Sequence, residues 1–351
     1  MTVIRASLKE AMIAASTYRS NISAQVRSLA PGVALSVIIA MAATFLSEHH
    51  GGPTLLYALL IGMAFYFLSV DGAAKDGIAF TGRSILRLGV ALLGVRISTA
   101  QIASLGWLPI ALMIVGVVAT IAAGWHFSRT LRLSREQGIL TGGAVAICGA
   151  SAAMAISAVL PKHENSERDT LLTVISVTVM STVAMVLYPL LVRALGFDDR
   201  AAGILLGGTI HDVAQVVGAG QLFSESAAVI ATYVKLLRVA MLLPVVLVIS
   251  AMLASRPAAR VAARQPLLPM FLAGFVALAI ANSLGAVPSH VSDVMAVASR
   301  WCLVAAIAAL GMKTSLQELA KVGWRPLALV AGETLFLLAL VLAGLLLSRT
   351  S

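Results

Sequence analysis

The sequence predicts an all-α polytopic membrane protein of about 9–11 transmembrane segments, with inverted repeats and two broken helices, discontinuous or re-entrant. Three observations predict it. Hydrophobic residues make up 60% of the 351 and charged residues only 11%, outside the range of soluble globular chains. Two apolar stretches are interrupted by glycine. A 17-residue segment recurs, without gaps, near the other end of the chain.

The basic excess, a formal +10, sits in the gaps between apolar runs. That placement is the ordinary cytoplasmic bias of membrane proteins and argues against nucleic acid. Cys148 and Cys302 both lie inside apolar runs, so neither a disulfide scaffold nor a metal-binding CxxC is supported. No cofactor motif is present, and without a GxxxxGK[ST] loop, ATP-driven pumping by this polypeptide alone is disfavoured.

Taken in order, residues 1–30 carry Arg5, Lys9, Arg19 and Arg27 among small apolar residues and suit a cytoplasmic or interfacial segment. Residues 31–351 read as a single transmembrane domain. Its apolar spans are 32–47, 53–70, 76–97, 107–128, 169–192, 226–254, 267–286, 290–311 and 326–347, with broken stretches at 138–160 and 201–221. Placing the N-terminus inside, with both broken stretches re-entrant, puts 18 of the 25 Lys and Arg on the inner side. If both stretches cross instead, Lys162 and Arg168 exchange sides with Arg193 and Arg200, so charge alone does not choose.

The repeat pairs GVRISTAQIASLGWLPI (94–110) with GMKTSLQELAKVGWRPL (311–327), and the blocks around it are 76–128 and 290–347. Identical are Gly94/Gly311, Ser98/Ser315, Ala103/Ala320, Gly106/Gly323, Trp107/Trp324 and Pro109/Pro326. Arg83 and Arg300 match in the same register. An odd number of crossings separates the copies, so they run in opposite directions, as secondary transporters are built.

In the first broken stretch, Gly142–Gly143 and the step Cys148-Gly149-Ala150-Ser151 divide two short apolar halves. Each glycine costs about 1 kcal/mol against alanine in a helix. Backbone freed at membrane depth must face protein, a cavity or solute. The N–H groups after Gly149 suit an anion, with the Ser151 hydroxyl as a further donor. Close packing of small residues is the alternative. Cys148 itself fits as a small apolar filler.

The second stretch holds His211, Asp212 and Gln215, its most polar cluster, preceded by Thr209. His211 and Gln215 share a helix face and read as solute contacts, with His211 or Asp212 carrying a proton. A helix-end cap near Gly207–Gly208, with Asp212 wetted at the interface, is the alternative. Lys235 and Arg238 put two cations on one span, for an anionic solute or for snorkelling or pairing with Asp212 or Glu333. Glu333, the lone carboxylate in the last span, reads equally as a buried coupling acid or as a lipid-facing or cavity-wetted group. The polar side of span 169–192, including Ser181 and Thr182, suits helix–helix hydrogen bonds.

The pieces LRLGVALLGVRIS (86–98), AICGASAA (146–153), GGTIHDVAQVVGAG (207–220) and KLLRVAMLLP (235–244) together resemble the YeiH-type family of bacterial inner-membrane proteins, labelled sulfate exporters. The resemblance runs from about residue 31 to the C-terminus. It implies kinship with the cation/proton antiporter and anion transporter superfamily: inverted repeats, broken helices meeting at mid-membrane, and dimers. It also implies export of a small sulfur oxyanion.

The expectation is therefore a gradient-coupled transporter of a small anion in the inner membrane, in contact with lipid, its N-terminus cytoplasmic. Substrate-binding candidates are Cys148, Gly149, Ala150, Ser151, Thr209, His211, Gln215, Lys235 and Arg238, with His211 and Asp212 for coupling and no metal or catalytic group. The rivals are an intramembrane hydrolase using Ser151, His211 and Asp212, without a G-x-S-x-G elbow, a passive anion channel and a scaffold subunit.

Overall fold

The computed structural model describes residues 27–51, 53–96, 106–161, 164–253, 270–314 and 323–350. Several sequence features lie outside them: the N-terminal residues Arg5, Lys9 and Arg19, the repeat positions Ser98, Ala103, Ser315 and Ala320, and the loop cations Lys162, Arg256, Arg260, Arg264 and Lys321. Among the described residues there are helices and connections but no strand.

The helices are α1 (Arg27–His50), α2 (Thr54–Ala64), α3 (Lys75–Arg96) and α4 (Leu108–Thr130). Next come α5 (Arg135–Ala146), α6 (Ala150–Ser157), α7 (Ser166–Ala194), α8 (Asp199–Thr209) and α9 (Val213–Phe223). The last are α10 (Glu225–Ala240), α11 (Leu242–Leu253), α12 (Met270–Ser283), α13 (Ser289–Lys313) and α14 (Trp324–Thr350). Among the described residues, seven segments are long and apolar enough to cross a bilayer: α1, α3, α4, α7, the α10–α11 run, α13 and α14. In the expected span 53–70, α2 stops at Ala64 after 11 residues, and a further helical turn follows over Phe67–Val70. The described part of 267–286 is likewise a 14-residue helix. The α10–α11 run turns at Met241, where Pro244 has no N–H to offer the Ala240 carbonyl.

The chain sorts into two compact units. One comprises the described residues of Met1–Leu86 with Val304–Lys313, and the other those of Arg87–Leu303 with Thr314–Ser351. In the first, α1 and α3 touch backbone to backbone at Gly32 and Gly77. There α2 meets the end of α13 in the same way, at Gly62 and Gly311. Small residues let helices approach closely where lipid offers no hydrophobic drive.

In the second unit both broken stretches are re-entrant hairpins. A side chain at Gly143 of α5 would strike Ile156 of α6, although 13 residues of straight helix would separate them by about 20 Å. Ser157 and Leu160 line the same small cavity as Glu136 and Gln137, so α6 returns to where α5 began. At the second hairpin Ser224 Oγ donates to Asp199 Oδ1 at 2.7 Å, joining the end of α9 to the start of α8. Helix α7 runs from the mouth of the first hairpin, which Ser166 and Asp169 share, to that of the second, where Arg193 Nη2 donates to the Leu222 carbonyl at 2.6 Å. The hairpins therefore enter from opposite ends of α7.

The repeat is inverted in the same sense. Leu112 lies against Gly344, Leu337 against Gly116, and the Phe127 and Phe336 rings are 6.2 Å apart, so α4 and α14 pack antiparallel. Each starts at the repeated GW-x-P, with Gly106 and Gly323 in the left-handed region at φ 64° and 83°.

Candidate functional site

The two hairpin tips meet. Helix α5 ends at Ala146, and Gly149, at φ 64° and ψ −126°, starts α6 in a conformation that only glycine holds cheaply. Helix α8 ends at Thr209, Ile210 to Asp212 run extended or bent, and α9 starts at Val213. A Cβ on Gly149 would lie 3.6 Å from that of His211. The doublets Gly142–Gly143 and Gly207–Gly208 lie inside α5 and α8, where they serve packing, and the chain breaks after them, at Ile147 and Ile210. Gly207, for instance, touches the Ala231 backbone.

Every helix leaves its last carbonyls without an intrahelical partner, and here two helices do so away from water. Lys235 and Arg238 of α10 satisfy both. Lys235 Nζ donates to the Ile147 carbonyl at 2.6 Å and to that of Ile210 at 2.9 Å. Arg238 donates from Nε to Ala146 O at 2.7 Å and from Nη2 to Val145 O at 2.6 Å. Its Nη1 reaches Ile210 O at 3.3 Å and Gly207 O at 3.4 Å. Both side chains are buried, at 0% and 1% exposure, so they do not snorkel. One turn of α10 thus clamps both tips.

The helix starts at the tips differ. Helix α9 is capped by its own Asp212, whose Oδ1 accepts from Ala214 N at 2.8 Å. The N–H groups of His211 and Asp212 donate to Ser181 Oγ of α7 at 3.2 and 3.1 Å. Helix α6 has no side-chain hydrogen bond at its N-cap, and its first turn includes the exposed Ser151 and half-buried Ala150. The Ala152 N–H faces the Cys148 sulfur. Only the first tip therefore offers an open helix N-terminus. The half-helix after the second break starts at Val213, past Thr209 and His211, and is closed by the Asp212 carboxylate.

The remaining candidates are held by neighbours. Thr209 Oγ1 donates back to Leu205 O at 2.6 Å and turns away from the tip. Gln215 Nε2 donates to Thr182 Oγ1 at 2.8 Å, while its Oε1 has no partner. Thr334 of α14 donates its hydroxyl hydrogen to Val330 O at 2.7 Å, so its oxygen accepts from His211 Nε2–H at 3.0 Å. His211 Nδ1 has no partner, so neither ring nitrogen meets Ser151 or Asp212, and the hydrolase reading lacks its hydrogen bonds. Beside Thr334, Glu333 is fully buried, which removes the wetted alternative for it. That pair was the part of the site the sequence signalled least. A lone carboxylate in an apolar span was its one visible sign.

The family described as Conserved hypothetical protein 698 matches residues 31–330. A UPF0324 membrane protein named TauZ, from Paracoccus denitrificans, is 54% identical over 318 residues, covering 90% of this chain and 94% of that protein. A UPF0324 membrane protein of Chlorobaculum tepidum is 53% identical over 316 residues, covering 90% and 88%. Among solved structures, the sodium proton antiporter MjNhaP1 of Methanocaldococcus jannaschii aligns over 89% of this chain and 97% of its own, at 13% identity and a TM-score of 0.27. An overlap at that score carries no statement about this chain.

Proposed function

We propose that this chain, which belongs to the Conserved hypothetical protein 698 family, is a secondary transporter of a small inorganic anion, sulfate or a related sulfur oxyanion, working by alternating access across the bacterial inner membrane. The observation that carries the reading is the charge balance at the paired tips. Each tip joins one helix end of about −0.5 charge to one of about +0.5, so the four dipole ends cancel. Lys235 and Arg238 add two formal positive charges and Asp212 removes one, which leaves a surplus of one. The opening towards it is the uncapped start of α6, with the N–H groups of Ala150 and Ser151 and the Ser151 hydroxyl. An anion is the ligand that such a site balances.

Lys235 and Arg238 act here through the field rather than as free ligands, because most of their hydrogens are engaged on carbonyls. His211 and Asp212 remain the candidates for a coupling proton at the second tip. The opposed hairpins supply the element that alternating access needs, since each reaches the shared tips from its own side.

The test is radiolabelled sulfate uptake into proteoliposomes with imposed pH or sodium gradients. Gradient-driven uptake is expected, lost on Ser151→Leu, which fills the opening without disturbing a buried contact. Uptake that ignores both gradients would make the protein a channel. No uptake of sulfate or sulfite would remove the substrate reading.

A further inference from the structure

Glu333 has no exposed surface and forms no ion pair among the described residues. Its Oε1 accepts from Thr141 Oγ1 of α5 at 2.7 Å, and its Oε2 has no partner. From α4 it is faced by Gly124, where a side chain would strike Oε1. One turn earlier stands Thr120, whose hydroxyl is itself unpartnered. None of these groups titrates. The titratable group linked to Glu333 is His211, through the adjacent Thr334.

The Thr141 hydroxyl connects this carboxyl to the outside of the unit. It has one hydrogen and three acceptors within reach: Glu333 Oε1, Gln137 O at 3.0 Å and Gly138 O at 3.3 Å. Gln137 lies one helical turn away, about 6 Å. With Arg132, Arg168, Asp169 and Arg325, it lines an open cleft of about 450 Å³. The cleft also reaches Pro326, on the helix of Glu333 itself and about 10 Å before it along the axis. A polar cleft of this size holds water.

We propose that Glu333 is a proton-binding site that exchanges with the basic cleft through Thr141. A hydronium ion delivered to the cleft gives its proton to the Glu333 carboxylate, leaving water and a carboxylic acid. As a carboxylate, Glu333 accepts from Thr141 Oγ1 across the 2.7 Å contact. As an acid, it donates to Thr141 Oγ1, and Thr141 turns its own hydrogen to the Gln137 or Gly138 carbonyl. One hydroxyl rotation thus keeps both protonation states hydrogen-bonded, which a site that alternates between them requires. The use of this proton in coupling rests on the transporter reading, but the proton site does not.

The first experiment is the infrared difference spectrum of the reconstituted protein between acid and alkaline pH. A carboxylic-acid carbonyl band that comes and goes with pH is expected. It should vanish in Glu333→Gln, which keeps the bond from Thr141, and change frequency in Thr141→Val, which removes it. No such band, or one that persists in Glu333→Gln, overturns the proposal. The second arm is pH-gradient-driven sulfate uptake, which should lose its gradient dependence in Glu333→Gln, and full dependence there overturns the coupling role. Should the wild type transport nothing, the transport reading fails while the infrared result still decides the proton site.

Discussion

At the residue scale, the two cations of α10 show why the type of a side chain says less than its target. Lys235 and Arg238 read as counter-charges for a solute or as ion-pair partners, and each is bonded to backbone oxygen at the tips. Carbonyl acceptors carry no signature in a sequence, so this target was not legible there. Lys235→Met keeps the apolar stem, removes the Lys235 donor from the Ile147 carbonyl and leaves Ile210 O with the longer contact from Arg238 Nη1 at 3.3 Å. An unsatisfied buried polar group costs about 1–3 kcal/mol. A lowered thermal unfolding midpoint in detergent is expected, and an unchanged one would show that the clamp adds no stability. Asp212→Asn separates cap from charge, because asparagine caps as well as aspartate. Removing the one negative formal charge at the tips should strengthen the protection that sulfate gives against thermal unfolding. Weaker protection would count against an anion at the first tip.

At the element scale, the broken stretches were legible and their folding back was not. Glycine density and short apolar halves marked 138–160 and 201–221, and the structure places breaks at 147–149 and 210–212. The glycine doublets that drew attention are packing sites within α5 and α8. Whether a broken helix continues or returns depends on which surfaces its second half buries, here Gly143 against Ile156 and Ser224 against Asp199. Those are long-range pairings that periodicity does not encode. The polar side of α7, expected to bond neighbouring helices, does so through Ser181 and Thr182 at the second tip.

At the scale of the whole molecule, the motifs resembling the YeiH-type family stand with the family match over residues 31–330. The repeat has a measurable consequence. Antiparallel packing of α4 and α14 sends their GW-x-P starts to opposite faces, and Trp107 and Trp324 are 76% and 67% exposed there. In variants retaining only one of them, a membrane-impermeant quencher added to oriented proteoliposomes should reach Trp107 and Trp324 from opposite sides. Quenching of both from one side would remove the inversion. Beside Trp324, the cleft is lined by Arg132, Arg168 and Arg325.

The sequence by itself determined the membrane class, the positions of most of the long apolar helices and of the breaks, and the repeat. These follow from local hydropathy, glycine content and self-similarity, all short-range properties of a chain in a solvent that rejects bare backbone. Only the tertiary structure decided that both broken stretches turn back, that their tips share one clamp, and that one helix start stays open while the other is closed. It alone buried Glu333 against Thr141. Such outcomes depend on which distant groups are left to satisfy each buried donor and acceptor, and that is settled only when the helices pack.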